Sequence, residues 1–172
     1  MLPVAHPLTA AQRRVVGETW ASRAEAEVGA TKRFEGLLGG LRAHGASATV
    51  IELCERAVGD EARHVELCAE VAREFGVEPC LAAVECPRPL APAHFSDQRS
   101  LCYDVVATCC ITETINATLL AYIHERARWA SIRSCARALM ADEIWHSRMG
   151  WAFVSLEHQQ GRAGWLSEQL VP

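Results

Sequence analysis

Glu61 and His64, within Asp60-Glu61-Ala62-Arg63-His64, stand three residues apart, and the spacing returns at Glu143 and His146 within Asp142-Glu143-Ile144-Trp145-His146. On an α-helix two such residues share a face about one turn apart, so a carboxylate and an imidazole reach one point beside the helix. One Glu-x-x-His arises often by chance. Two copies weigh more, because each lies in a segment of helical apolar periodicity and each follows another such segment with a glutamate in its stripe. Mixed oxygen and nitrogen donors suit iron or manganese, and spacing does not choose between them.

Four long helices are needed to position these groups, expected at about 9–43, 47–75, 98–126 and 131–158. The first opens at Thr9, where Thr9-Ala10-Ala11-Gln12 has capping-box form. Its stripe runs Trp20, Ala24, Glu27, Thr31, Phe34, Leu38, Leu41, and the charged interruption is Glu27. Glu25 and Glu35 fall off the stripe and are expected in solvent. The second helix carries Cys54, Glu61, His64, Cys68 and Phe75 inward and stops at Gly76. The third presents Cys102, Val106, Cys109, Glu113, Asn116 and Leu120, and the fourth Ile132, Ala136, Leu139, Glu143, His146, Gly150 and Phe153. No Gly or Pro marks the boundary between these two. A short tail follows, with Trp165 expected to dock back.

Register supports two antiparallel hairpins. Residue 44 is midway between Glu27 and Glu61, and residue 128 midway between Glu113 and Glu143; both fall in expected turns. The Pro-rich stretch 76–97 is a long loop. Extended, it would span roughly 70 Å, whereas a helix of this size is only ~43 Å long. It can therefore run the length of the bundle and join the hairpins by a crossover. The expectation is a single all-α domain over 1–172, a four-helix bundle with a long crossover between helices 2 and 3.

Glu27, Glu61, His64, Glu113, Glu143 and His146 are the candidate metal ligands. Four carboxylates turned inward would each cost several kcal/mol without a partner, and two divalent cations would neutralise them. One Glu from each of two helices, with Glu-x-x-His from each of the others, resembles the ferritin-like di-metal carboxylate superfamily across nearly the whole chain. More narrowly, Trp20…Glu27…Phe34, Cys110-Ile111-Thr112-Glu113-Thr114 and Ala141-Asp142-Glu143-Ile144-Trp145-His146 look like bacterial ferritin-like domain proteins. The resemblance implies two iron ions, or an Fe/Mn or Mn/Mn pair. It implies that Glu61 and either Glu113 or Glu143 bridge them, with His64 and His146 on one ion each. Asp60 and Asp142 are the candidates for supporting the imidazoles from the neighbouring helix. Thr31, Cys109 and Asn116, one turn from a ligand glutamate, are candidates for lining a cavity. No residue is singled out as catalytic, and Tyr103 and Tyr122 are poorly placed for a tyrosyl radical.

Composition narrows the classes. The 172 residues are 50% hydrophobic and 6% aromatic, with a formal net charge of -4. Nothing there favours nucleic acid, since arginine is scattered among glutamate. No uninterrupted apolar run reaches the roughly 18–20 residues of a membrane span, and Met1–Pro7 lacks the form of a signal peptide, so a cytoplasmic protein is expected. Of eight cysteines, Cys54, Cys68, Cys102, Cys109, Cys110 and Cys135 read as small core residues. Cys80 and Cys86 could pair only in an oxidising setting.

Three functions compete. The first is a di-iron oxidase or oxygenase that takes O₂ or peroxide, a small organic substrate and electrons from an external donor, as a monomer or homodimer. The second is ferritin- or bacterioferritin-like iron oxidation and storage, with a rubrerythrin-like peroxidase beside it. The third is a metal-free interaction module, which leaves the inward acids unexplained.

Overall fold

The computed structural model describes residues 7–85 and 87–169. Helix α1 spans Ala10–Ala43. Thr9 Oγ1 accepts from the Gln12 amide at 3.2 Å and the Thr9 amide donates to Gln12 Oε1 at 3.0 Å, so two otherwise unpaired N–H groups are satisfied at once. Helix α2, Ala48–Glu74, opens at Ser47. Helix α3 runs over Asp97–Arg126, α4 over Ala130–Gln159, and a last short turn, α5, over Leu166–Gln169. Helices α1 and α2 pair, α3 and α4 pair, and α2 lies against α4. With residues 75–96 passing between the hairpins, this is a ferritin-like four-helix bundle.

The interior is layered. One apolar cluster, including Trp20, Cys68, Phe75, Leu120 and Leu139, fills the end near the α3–α4 turn. Another, including Phe34, Leu41, Cys54, Leu101, Val105, Met149 and Phe153, fills the opposite end. Between them lies a polar layer at the level of Glu61 and Glu143. The six cysteines assigned to the core are all buried. Cys80 is exposed, and its suggested partner Cys86 lies outside the described residues.

The crossover is tethered rather than loose. Glu25 Oε1 accepts from the Cys80 amide at 3.1 Å, Arg33 donates to the Arg88 carbonyl at 3.2 Å, and Asp104 Oδ1 accepts from the amides of Leu90 and Ala91 at 3.0 and 2.8 Å. Glu25 is therefore a tether, not the solvated acid expected from its place off the stripe. Trp165 docks back as expected, stacking edge-on against Phe95 with 5.3 Å between centroids and lying under Arg99.

Two features differ from expectation, and between them one boundary falls where it was expected. Helix α3 is not a plain α-helix: Val106–Thr112 is a π-helical segment between the α-helical stretches Asp97–Val105 and Glu113–Arg126. The inward residue before it is Val105, fully buried, where the stripe assigned Val106, which is half-buried. Leu101, Val105, Cys109 and Glu113 are all buried and recur at every fourth position. Each step of four in an α-helix drifts by about 40°, and the wider i→i+5 turns absorb that drift. The break at Ala127–Trp129 falls between the helices expected at about 98–126 and 131–158. Arg133 Nη1 donates to the carbonyls of Ala127 and Arg128 at 3.1 and 3.0 Å, and Trp129 packs edge-on against Phe75. A nearby arginine and, far off in sequence, Phe75 thus hold the break where no Gly or Pro marks it.

The second difference concerns the apolarity of α3. An 18-residue window within Asp97–Arg126 has a mean hydropathy of 1.4, so by length and composition this helix could cross a bilayer. Counting uninterrupted apolar runs misses it because threonines, Glu113 and Asn116 punctuate the sequence. Only 28% of the window is buried, and Ile111, Ile115, Leu119 and Tyr122 form an exposed apolar strip.

Candidate metal centre

All six sequence-predicted ligand residues converge in the polar layer, each no more than 4% exposed. Their donor atoms form two groups, each within 4.8 Å: Glu27, Glu61, His64 and Glu143, and Glu61, Glu113, Glu143 and His146. Glu61 and Glu143 belong to both. The glutamates of the two Glu-x-x-His segments are thus the shared ones, with Glu27 and His64 in one group and Glu113 and His146 in the other. Each helix reaches the layer by a different device. Glu27 interrupts the stripe of α1, the paired motifs use the three-residue spacing on α2 and α4, and Glu113 is the first residue after the π segment of α3.

The imidazoles are turned the same way. His146 Nδ1 accepts or donates at 3.0 Å from Glu143 Oε2 and lies 3.0 Å from Glu61 Oε1, though only the first contact has hydrogen-bond geometry. His64 Nδ1 lies 3.5 Å from Glu61 Oε2. The opposite nitrogens face aspartates across the helix pair: His64 Nε2 is 3.1 Å from Asp142 Oδ2, and His146 Nε2 is 3.5 Å from Asp60 Oδ2. Each aspartate thus meets the histidine of the other helix. Arg56 and Arg63 bind both aspartates, with Arg56 Nε 3.3 Å and Arg63 Nη2 3.2 Å from Asp60 and Arg63 also on Asp142. The sequence reading did not single out these arginines. Their signal was the helical spacing of Arg56 and Arg63 on either side of Asp60.

Without cations the cluster is electrostatically strained. Burial, and then the neighbouring carboxylates Glu143 and Glu61, push Glu113 up to about 10. Burial also raises Glu27 to about 8, partly offset by the Arg23 guanidinium. Burial acts on Glu61 in the same direction, but the two imidazoles outweigh it and hold that acid at about 2. His146 is disfavoured as a cation by burial, yet Glu143 and Glu61 raise it to about 10. His64 is raised in the same way.

The residues fit a pair of metal ions. Both oxygens of Glu61 and Nδ1 of His64 are buried with no hydrogen-bond partner. Such orphaned groups cost free energy, and here Glu61 and His64 each offer a donor atom within 4.8 Å of the others in one group. Nitrogen on the inside and a carboxylate on the outside of each ring is also the arrangement that fixes a metal-binding imidazole. The chain thus carries a buried di-metal carboxylate and histidine site of ferritin-like type.

The site is reached from one side. Among the described residues α1 and the Glu113–Arg126 part of α3 make no close backbone approach. Between them opens a cleft of ≈ 350 Å³ with Ala26, Ala30, Ile115 and Leu119 on its walls and Glu27, Glu61 and Glu113 within it. Of the three cavity candidates only Asn116 lines this cleft. Its Nδ2 donates to Glu143 Oε1 at 2.6 Å, and its Oδ1 accepts from Arg23 Nη2 at 2.8 Å. Thr31 instead donates to the Glu27 carbonyl at 2.9 Å, a local helix contact. Cys109 packs against Gly150, where an added Cβ would stand 2.5 Å from its own. Both were assigned by sequence distance alone, and each points along or between helices rather than into the opening. Arg23, unassigned from sequence, sits beside Glu27 at 3.1 Å.

Comparison with protein-family models, with curated proteins and with solved structures gave no match.

Proposed function

We propose that this chain is a di-iron carboxylate oxidoreductase, using O₂ or peroxide on a small organic substrate that enters by the α1–α3 cleft. The observation that carries the reading is the coincidence of two overlapping ligand groups with a side opening onto one of them. In this reading Glu61 and Glu143 bridge, Glu27 and His64 complete one position, and Glu113 and His146 the other. Iron bound there supplies redox chemistry with oxygen and Lewis acidity.

The remaining work falls to the protein. Asp142 holds the His64 imidazole with Nδ1 inward, Asp60 faces the outer nitrogen of His146 at 3.5 Å, and the two apolar layers exclude water from the ends of the site. Asn116 fixes one oxygen of Glu143. The open cleft distinguishes this reading from iron storage, which needs passage for ions but no apolar-walled pocket of this size. Electrons come from a donor outside the chain.

Metal analysis of protein expressed with iron, size-exclusion chromatography and oxygen uptake test the reading together. The expected result is two iron ions per chain in a monomer or dimer that consumes O₂ with Fe²⁺ and builds no mineral core. A large cage holding many irons per chain would replace this reading with storage. A chain that takes up no metal would remove both.

A further inference from the structure

We propose that Arg23 makes the loaded cleft selective for an anionic substrate, a carboxylate on a short apolar body. The inference rests on the di-metal reading above. Its basis is a charge balance over the groups already placed. Two divalent cations match Glu27, Glu61, Glu113 and Glu143, and Arg56 and Arg63 match Asp60 and Asp142 on the outer side. Arg23 is left over. In the absence of cations Glu27 Oε1 lies 3.1 Å from its Nη2; a Glu27 carboxylate that binds metal has its charge taken up by the ions. The guanidinium then keeps only the neutral Asn116 oxygen, at 2.8 Å.

The position of this charge gives it consequence. The side chain of Arg23 is 18% exposed, lines the cleft, and its Nε is buried with no hydrogen-bond partner. Arginine stays protonated at any physiological pH, and its planar fork binds a carboxylate through two parallel bonds. A largely desolvated cation that lines the cleft therefore favours an incoming anion. The walls decide the rest of the ligand: Ala26, Ala30, Ile115 and Leu119 offer hydrocarbon, and ≈ 350 Å³ admits a small molecule. A bare inorganic anion would leave those walls wet.

Zinc is redox-inert, so binding can be read without turnover. Full-length chain loaded with zinc is titrated calorimetrically with hexanoate, hexanamide and acetate, while zinc content is measured in parallel. Hexanoate is expected to bind at least about tenfold more tightly than either of the others, the size of one lost hydrogen bond to a charged group. Arg23→Gln should remove most of that preference with two zinc ions still bound, and Arg23→Lys should retain part of it. Equal affinity for hexanoate and hexanamide in the unaltered protein overturns the proposal without recourse to any variant. Unchanged hexanoate binding in Arg23→Gln overturns it too, since the metals alone would then hold the carboxylate. Acetate binding as tightly as hexanoate shows a simple anion site and also overturns it. A chain with no zinc removes the di-metal reading itself, and this inference with it.

Discussion

Within the polar layer the carboxylates are not equivalent, and metal stoichiometry should show it. Glu61 belongs to both ligand groups, Glu27 to one. In Glu61→Ala both positions lose a ligand, and tight binding of both ions should be lost. In Glu27→Ala the position made by Glu113 and His146 keeps its full set, so about one ion per chain should remain. Counting metals per chain by mass spectrometry checks the contrast; two ions retained in Glu61→Ala would refute the bridging assignment. The same residues fix a pH dependence. Glu27 and Glu113 in the metal-free fold prefer to be protonated, with values raised to about 8 and about 10. A raised acid stabilises the fold below its unfolded value, near 4.5, and that contribution disappears as pH rises through the folded value. His146, raised to about 10, acts in the same direction above pH 6.5. Metal-free protein should therefore melt at a lower temperature at pH 9 than at pH 6. Cations require the deprotonated ligands, so thermal melts of zinc-loaded protein should lack this loss. Identical pH trends with and without metal would contradict the assignment.

At the level of elements, the π segment of α3 and Gly150 of α4 depend on each other. The widened turns carry Cys109 and Cys110 toward α4, and a Cβ at position 150 would lie 2.5 Å from Cys109 Cβ and 3.1 Å from the Cys110 amide nitrogen. Backbone cannot yield as a flexible side-chain tip can, so overpacking there costs about 1–3 kcal/mol. Gly150→Ala should lower the melting temperature by several degrees, on the scale of roughly 2–4 °C per kcal/mol for a chain of this size. Since Glu113 directly follows the displaced segment, the variant should also bind its second metal more weakly. A melting temperature and metal affinity equal to those of the unaltered protein would show that the bulge is not held by this contact. The α3–α4 turn is different in kind: it is held by the local contact of Arg133 with the Ala127 carbonyl and by the tertiary contact of Trp129 with Phe75 rather than by a helix-stop residue.

Across the whole molecule, charge is arranged in shells. Acids occupy the centre, Asp60, Asp142 and two arginines close the α2–α4 side, and Arg23 alone stands at the open α1–α3 side. Apolar layers shield the centre from water at both ends, which strengthens the interactions on those sides.

Much of this was legible in the chain itself. Helical periodicity, Thr9 and Ser47 as caps, and glycines after three of the helices specify four long helices, because these are local effects with fixed periods. Interruption of each apolar stripe by a single acid, twice with a histidine three residues on, marked the six residues that meet. Even the π segment left a trace in the four-residue recurrence of Leu101, Val105, Cys109 and Glu113. Other properties belong to the packed chain alone. Which glutamates the two groups share depends on distances between helices, the packing of Trp129 at the end of α3 on Phe75, and the cleft on a gap between α1 and α3. Arg23 gains its role only because that gap places it beside Glu27 and Asn116 at once. Spacing along one helix reports direction, whereas proximity between helices is set by how side chains of different segments pack, and no single segment encodes it.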